Sequence, residues 1–459
     1  MSNAAVSFLH KSAVKAIDKE HRRKINFNIG KYNATVPKGK QQFAQLMPAR
    51  ERAKNVKWRA IENLDSYLEA FEQKITARGA KVIWAETTQQ ALQAIGKICS
   101  EKHCTTLVKS KSMVTEEIHL NDFLENRGIE SVETDLGEYI QQLDGEPPYH
   151  IVTPAMHKSK EDVAALFAKK LGVPEGLSPE KLTQIAREKL REKYTAAQVG
   201  VTGANFIIAD TGSIAITENE GNARLSCAFP KTHIVICGIE KVIPSLNDLA
   251  LFWPLLATYG TGQQVTVYNT IVSGPRQAHE TDGPDEMYVI LLDNGRTNLL
   301  ADEKAREALY CIRCGACLNA CPVYKNIGGH SYETTYSGPI GKVITPHLRG
   351  KEYKHLSYAS SLCGNCTEVC PVRINLHELL LHNRHKAVQT GDSTLTERLA
   401  WKAWKQASLN RKWMNMGSAN MKNWVVNKVF KGWTAHRSEL NFSQKTFNQL
   451  WQEKHNTTT

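Results

Sequence analysis

Two cysteine motifs constrain the fold of this chain more than any other feature of its sequence. The first, CIRCGACLNACP, has two residues between each of its first three cysteines and three before the last; the second is the shorter CGNCTEVCP. Such loops wrap iron–sulfur cubanes, and the last cysteine of each run ligates the other cluster in two-cluster ferredoxins. The motifs contain seven of the eleven cysteines of the chain, namely Cys311, Cys314, Cys317, Cys321, Cys363, Cys366 and Cys370.

Alignment of the motifs on their last cysteines shows which ligand is missing. Cys370 then corresponds to Cys321, and the position of Cys311 falls on Ser360. Because ligation crosses between motifs, the sequence predicts one four-iron cluster on Cys311, Cys314, Cys317 and Cys370. The second site retains Cys321, Cys363 and Cys366. We predict that this site holds a three-iron cluster, or a four-iron cluster whose last iron takes Ser360, water or another group.

Other roles for these cysteines fit the sequence less well. Paired CxxC motifs also form structural zinc sites, but a zinc site does not require two runs that each end in Cys-Pro. His330 lies between the motifs and is an alternative iron ligand, although a structural role suits a lone histidine better. The other cysteines have no ligand spacing and are expected to be buried packing residues; they are Cys99, Cys104, Cys227 and Cys237.

The rest of the chain predicts an α/β core flanked by helices. Residues 1–75 have helical spacing, and strands such as KVIWA and TTLVKS then alternate with helices, which favours a mostly parallel sheet. The segment MVTEEIHLNDFLENRG is predicted to form one helix, with Ser112 as its N-cap. A hairpin turning at Asp210, Thr211 and Gly212, followed by HIVICGI and MYVILLD, is predicted to complete the same sheet.

Two groups in this α/β part are candidates for ligand binding or catalysis. KSKSM, residues 109–113, joins a strand to a helix, so its lysines and the helix start are a candidate anion site or else a solvated turn. Glu218 and Glu220 are candidate catalytic carboxylates or simply acids of a loop. The sequence contains no Walker A loop and no GxGxxG after a strand, so nucleotide cofactors have no support.

The net charge of +12 is concentrated near the two ends of the chain. Residues 1–60 carry 14 basic and 3 acidic side chains, and residues 396–459 carry 11 and 3. These regions are either solvated helix faces or docking surfaces for an acidic partner or for membrane headgroups. Nucleic acid is the weakest alternative, because no nucleic-acid motif accompanies the charge. Residues 396–451 hold six of nine tryptophans, which favours docking; they are Trp401, Trp404, Trp413, Trp424, Trp433 and Trp451.

The expected location of the protein is the cytoplasm. No apolar run approaches the roughly 18 residues that a membrane span needs, and the first residues lack a secretory signal. Cysteine clusters in a reducing compartment indicate metal rather than disulfides.

Several segments resemble the LUD domain of lactate-utilization proteins. They are VKSKSMVTEEIHLN, SGPRQAHETDG and GVTGANFIIADTGSIAITENEGNARLSCAFPKTHIVICGIEKVIPSLNDL. With the two cysteine motifs and NIGGHSYETTYSGPIG behind them, their order is similar to that of the lactate utilization protein B family. The resemblance covers nearly the whole chain.

The resemblance implies a fold class and a domain division. It implies an α/β LUD domain, similar to the NagB/RpiA/CoA-transferase fold, joined to an all-α ferredoxin-like bicluster domain with helical extensions at both ends. The expected domains are a helical region 1–75, the LUD domain 76–300, the 4Fe-4S ferredoxin-type domain 301–390 and a basic, tryptophan-rich helical region 391–459. A shared fold does not establish shared chemistry, so acyl transfer is not expected here.

The resemblance also implies a function. The chain is expected to be the iron–sulfur electron-transfer subunit of a complex that oxidises L-lactate to pyruvate, without being catalytic alone. The expected companions are a protein with cysteine-rich CCG domains, a stand-alone LUD protein and a downstream electron acceptor. In the family the seven cysteines are cluster ligands in the crossed pattern. The catalytic residues of this chain, if it has any, are unknown from the sequence. The alternatives are a LUD-domain binding protein or enzyme with mainly structural clusters, and a carrier serving another 2-hydroxy acid such as glycolate.

Overall fold

The computed structural model describes residues 2–391, 395–429, 431 and 438–456. The chain divides into two compact units, Met1–Lys386 and Ala387–Thr459. The predicted domain boundaries after residues 75 and 300 fall inside the first unit and remain predictions. Within the described ranges, no helix has the length and apolar character needed to cross a membrane.

The first unit begins with four helices. They are α1 Asn3–Ile17, α2 Lys19–Lys40, α3 Leu46–Glu62 and α4 Leu64–Thr76. Helix α2 is capped by Asp18, whose carboxylate accepts the amide of His21 at 2.9 Å, as expected for an N-cap. Helix α4 buries Leu68, Phe71 and Ile75 on one face. This spacing is that of an amphipathic helix packed on a core.

Within the described residues, ten strands form two sheets. They are β1 Lys81–Ala85, β2 Thr106–Lys109, β3 Glu130–Glu133, β4 Val199–Thr202, β5 Phe206–Ile208, β6 Ser213–Glu218, β7 Thr232–Gly238, β8 Val242–Ile243, β9 Tyr268–Val272 and β10 Glu286–Leu292. One sheet is parallel throughout, in the order β1-β10-β7-β4-β2-β3. The smaller sheet has the order β8-β5-β6-β9, with β6 antiparallel to both of its neighbours.

Helices connect these strands and cover the parallel sheet. They are α5 Thr88–Glu101, α6 Met113–Glu117, α7 Leu120–Glu125, α8 Leu136–Asp144, α9 Lys160–Leu171, α10 Pro179–Ala196, α11 Asn222–Ala228, α12 Leu249–Thr261 and α13 Arg296–Ala301. The strands of the parallel sheet are almost entirely buried apart from the edge strand β1, as is usual when helices cover both faces. The predicted α/β class is confirmed.

Two local predictions were wrong. The hairpin β5–β6 does not complete the parallel sheet but forms the centre of the smaller one. The predicted single helix after KSKS is instead α6 and α7, because His119 between them adopts the left-handed conformation at φ 54°. Ser112 lies at the N-cap position of α6, but its side chain makes no capping hydrogen bond.

The region after residue 301 contains helices and turns but no strand as far as residue 391. Its helices are α14 Ala316–Ala320, α15 Pro322–Ile327, α16 Gly338–Leu348, α17 His355–Tyr358, α18 Asn365–Glu368 and α19 Leu376–Gln389. This agrees with the all-α character expected of the bicluster region. Helix α3 is tied to it by Arg50, which donates to the carbonyl oxygens of Glu368 at 2.6 Å and of Cys370 at 2.8 Å.

The second unit consists of short helices with little core. They are α20 Leu395–Leu409, α21 Arg411–Asn415, α22 Ala419–Val429 and α23 Phe447–Asn456. Helix α20 has no buried residue. Five of the predicted tail tryptophans are more than half exposed, namely Trp401, Trp404, Trp413, Trp424 and Trp451. The sixth, Trp433, lies outside the described residues.

Candidate functional site

The two cysteine loops repeat one backbone conformation. Arg313 and Leu362 occupy equivalent positions and have φ values of 61° and 56°. Gly315 and Gly364, two residues further on, both have φ 78°. That conformation costs glycine little and other residues more. Helices α14 and α18 begin directly after these glycines, so the two loops can be compared residue by residue.

The comparison places Ser360 where the first loop has Cys311. The amide of Arg313 donates a hydrogen bond to Sγ of Cys311 at 3.4 Å. In the second loop the amide of Leu362 donates in the same way to Oγ of Ser360, at 3.1 Å. The serine hydroxyl therefore replaces a thiol within an otherwise repeated loop.

A first cavity brings together cysteines from both motifs. Its cysteines are Cys311, Cys314, Cys317 and Cys370. Apolar side chains complete the wall, among them Ile340 and Ile374. The amide of Ile374 donates to Sγ of Cys370 at 3.4 Å. Hydrogen bonds of this kind to ligating sulfurs tune the potential of iron–sulfur clusters.

A second cavity contains the other three cysteines. It is lined by Cys321, Cys363 and Cys366 together with Ser360 and Ser361. Cys363 is exposed, whereas the other two are buried. Ser360 thus lies in the same cavity as the three thiols that lack a fourth partner.

Buried Lys342 in helix α16 adjoins this second cavity. Its ammonium group donates to Sγ of Cys321 at 3.8 Å and to the carbonyl oxygen of Ala359 at 2.5 Å. Burial lowers the pKa of this lysine, and the neighbouring thiol groups of Cys321 and Cys366 oppose that shift. A cation at this place stabilises negative charge on the sulfurs. Sequence reasoning missed it, although a single lysine in the apolar stretch GPIGKVIT was a usable signal.

The donor set fits iron–sulfur clusters. Burial raises the pKa of the Cys314 and Cys317 thiols, and it raises that of Cys370 to about 12. Such thiols stay protonated at neutral pH unless a bound metal ion stabilises the thiolate form. The buried thiols of the first site are therefore suited to binding iron and unsuited to acting as free nucleophiles.

A larger cavity of about 510 Å³ lies between strands of the α/β region and the first cysteine loop. Its lining includes Lys111, Glu218, Glu220 and Cys314. The candidate residues of the α/β part therefore share one cavity with a cysteine of the first site. Their proximity was not predictable from the sequence, because the segments are far apart in the chain.

The lysines of KSKSM already have partners within the protein. Lys109 is fully buried and forms ion pairs with Glu116 at 2.9 Å and with Glu133 at 2.6 Å. Lys111 pairs with Asp135 at 3.3 Å and donates to the carbonyl oxygen of Val152 at 3.0 Å. These contacts favour a structural role for Lys109 and leave Lys111 as a paired group at the cavity wall.

The two candidate carboxylates also bind backbone amides. Glu218 accepts the amides of Ala223 and Arg224 at 2.8 and 2.9 Å, at the start of α11. Glu220 accepts the amide of Leu136 at 3.0 Å. Desolvation of its carboxylate, together with nearby Asp135, raises the pKa of Glu220 to about 7, although the residue as a whole is exposed. A carboxyl group with such a pKa can accept or donate a proton near neutral pH.

His330 does not line either cysteine cavity in the described part of the chain. Its Nε2 donates to the carbonyl oxygen of Pro147 at 2.8 Å. Potential ligand atoms of His330, His157 and Glu146 lie within 4.8 Å of one another. However, the carboxylate of Glu146 is paired with Lys158 at 3.0 Å. These contacts give His330 a structural role.

A buried ion network connects the α/β region to the first cysteine loop. Arg296 binds Glu117 at 2.8 Å and Glu240 at 2.6 Å, and all three side chains are at most 7% exposed. Glu240 also lies 3.4 Å from the guanidinium group of Arg313. Burial opposes ionisation of Glu240, but Arg296 and Arg313 outweigh it and lower its pKa to about 2. The network holds residue 313, inside the first cysteine motif, against the end of β7.

Comparison with known proteins finds two families along the chain. The LUD domain family matches residues 68–292, and the 4Fe-4S dicluster domain family matches residues 307–374. A lactate utilization protein B of Bacillus velezensis is 47% identical over 372 residues, which are 80% of this chain and 78% of that protein. A lactate utilization protein B of Bacillus cereus is 46% identical over 371 residues, with the same two coverages.

Among solved structures, a DUF162 family protein from Deinococcus radiodurans is similar to part of the chain. The identity is 14% and the TM-score is 0.29. The match covers 50% of this chain and 98% of that one.

Proposed function

Because this chain belongs to the lactate utilization protein B family, we propose that it carries electrons in a complex that oxidises L-lactate to pyruvate. The single observation that carries the proposal is the grouping of the cysteines into two cavities, one with four thiols and one with three. This grouping is the crossed pattern of two-cluster ferredoxins. Bound iron–sulfur clusters would supply one-electron transfer at the two sites.

We propose Cys311, Cys314, Cys317 and Cys370 as ligands of the first cluster, of the 4Fe-4S type. Cys321, Cys363 and Cys366 are the proposed ligands of the second. Oxidation of lactate to pyruvate releases two electrons and two protons, so two one-electron sites suffice for one substrate molecule. The first site shares Cys314 with the large cavity, and the second has the exposed Cys363. These positions support entry of electrons at the first site and exit at the second.

Ser360 decides the type of the second cluster. We expect Ser360→Cys to convert the second site to an ordinary four-cysteine cluster, because Ser360 occupies the position that Cys311 has in the first loop. Low-temperature EPR and iron analysis of anaerobically purified protein measure the change.

Ser361→Cys is the matched control, since Ser361 lines the same cavity but corresponds to Ile312 in the first loop. The control is expected to keep the spectrum of the unmodified protein. An unchanged spectrum and iron count for Ser360→Cys, or conversion by Ser361→Cys instead, would refute this assignment.

We propose that the protein works with two companion subunits in the cytoplasm. One bears cysteine-rich CCG domains and the other is a stand-alone LUD protein, and the electrons leave to a partner or quinone-linked acceptor. Thiolate-rich sites suit a reducing compartment. The exposed tryptophans and basic charge of the second unit support a docking role, since tryptophan is enriched at interfaces.

Removal of the tail tests this docking role. A chain that ends after Thr390 is expected to keep its iron but to lose co-purification with the companions, because the exposed tryptophans are removed. Trp401→Ala combined with Trp404→Ala, which keeps the length of the tail, should weaken co-purification in the same direction. Full co-purification of the truncated chain would remove the docking proposal.

Lactate-driven reduction tests the electron-carrier function itself. The full-length protein is mixed anaerobically with both companions, and L-lactate or glycolate is added while EPR follows the clusters. The proposal predicts reduction by L-lactate only when the companions are present. Turnover of lactate by this chain alone would favour a LUD-domain enzyme with structural clusters. Reduction by glycolate and not by lactate would favour a carrier for another 2-hydroxy acid.

A further inference from the structure

The large cavity is separated from the first cysteine cavity by very few residues. Ile151, Arg313 and Cys314 line both cavities. A molecule in the large cavity would therefore lie next to the loop that holds three of the four thiols of the first site. The volume of about 510 Å³ is that of a small-molecule site.

Lys241 lines this cavity with an unpartnered ammonium group. The residue is 8% exposed. Within the part of the chain that the structure describes, its ammonium group has no hydrogen bond or ion pair. Lys57, a buried lysine of the same neighbourhood, instead donates to the carbonyl oxygens of Glu240 at 2.6 Å and Val242 at 3.1 Å. Most of the Lys241 side chain is buried, so its ammonium group has few water contacts and an anion in the cavity would stabilise its charge.

Arg313 adds a second cation to the same wall. Its Nη1 is buried and has no hydrogen-bond partner among the described residues, while Nη2 lies 3.4 Å from Glu240. The guanidinium group lies over the ring of Tyr336, 4.4 Å from its centroid. That stacking fixes the plane of the guanidinium group. A planar guanidinium beside an ammonium is well suited to bind a carboxylate.

We infer that this cavity binds a small 2-hydroxy or 2-oxo carboxylate, whose carboxylate group is held by Lys241 and Arg313. The inference rests on the proposed function, since it gives that function a ligand site beside the first cluster. The inference concerns binding and assigns no oxidation step to this chain.

The two cations have one competing role, which is to neutralise the negative charge of a first cluster. The nearby thiol of Cys311 interacts electrostatically with both Lys241 and Arg313. In that case Lys241 would set the potential of the first cluster and would not affect ligand affinity. The two roles therefore predict different measurements on the same variant.

Ligand affinity of the anaerobic full-length holoprotein tests the inference. Calorimetric titration uses L-lactate, pyruvate and inorganic phosphate as separate probes. We expect L-lactate or pyruvate to bind, and Lys241→Met to weaken that binding about tenfold or more, since one charge-assisted hydrogen bond is lost. Lys241→Arg, which keeps the charge, should retain most of the affinity. Lys97→Met, at an exposed lysine, is the control and should bind as the unmodified protein does.

The other outcomes overturn the inference. The first is an unchanged affinity in Lys241→Met together with a shifted midpoint potential of the first cluster. The second is tight binding of phosphate while neither L-lactate nor pyruvate binds. The third is that no probe binds. If Lys241→Met does not fold, as judged by its iron content, Lys241→Gln replaces it. Binding is measured without turnover or companions, so failure of the electron-carrier proposal, seen as absent lactate-driven reduction, is a separate result.

Discussion

Cys370→Ala is expected to abolish the first cluster, although Cys370 belongs to the second motif. The reason is that Cys370 lines the cavity of the first motif's thiols, whereas Cys321 of the first motif lines the cavity of the second. A cubane with four cysteine ligands holds four iron atoms, so about half of the iron should be lost. Iron analysis and EPR of the anaerobically purified variant measure the loss and identify the cluster that remains.

Paired variants separate crossed from uncrossed ligation. In the crossed arrangement Cys370→Ala and Cys317→Ala leave the same residual spectrum, because both remove the first cluster. Cys321→Ala and Cys363→Ala then share the other residual spectrum. Uncrossed ligation predicts that Cys370→Ala instead resembles Cys363→Ala. That result would contradict the ligand sets proposed for both sites.

Arg296→Met is expected to destabilise the protein by about 3–5 kcal/mol, the usual cost of removing one partner from a buried ion pair. The variant leaves Glu117 and Glu240 buried without their main cation. Chemical unfolding of the holoprotein, followed by circular dichroism, measures the difference. Arg276→Met is the matched control, since its pair with Asp285 is exposed and should contribute at most about 1 kcal/mol.

The pH dependence of stability gives a second readout of this network. Glu240 has a pKa lowered from 4.5 to about 2. A lowered pKa means that the unfolded chain binds the proton more tightly, so the stabilisation is present above about pH 4.5 and is lost as pH falls towards 2. The stability difference between the unmodified protein and Arg296→Met should therefore shrink in acid. A difference that is small at pH 7, or that grows in acid, would contradict the proposed role of the network.

The sequence was sufficient to predict those parts of the structure that depend on short-range patterns of residues. Cysteine spacing predicted the two loops, and alternation of strands and helices predicted the parallel sheet, because both signals lie within a few residues of one another. The hairpin β5–β6 was assigned to the wrong sheet for the opposite reason. Its buried strands have no feature that distinguishes pairing with β8 and β9 from pairing with the parallel sheet. Strand pairing of this kind depends on tertiary packing.

Side chains whose role depends on burial were the hardest to predict. Lys241 follows Glu240 in an ordinary stretch, IEKVIPS, and nothing nearby indicates that it is 8% exposed at a cavity wall. Arg313 lies inside the first cysteine motif, and the spacing of the cysteines there indicates cluster binding without indicating any role for the arginine between them. KSKSM was the more conspicuous basic segment, yet its lysines are ion-paired. Contacts between distant segments decide which basic side chains are paired and which are not, so the sequence alone does not predict them.

Analysis of iron, acid-labile sulfide and zinc in anaerobically purified protein tests the central claim most directly. The claim is that thiolates from two distant segments hold two iron–sulfur clusters. It predicts iron and labile sulfide in similar amounts, about seven to eight iron atoms per chain for two clusters, and no stoichiometric zinc. Stoichiometric zinc without labile sulfide would contradict the claim, and with it the electron-carrier function.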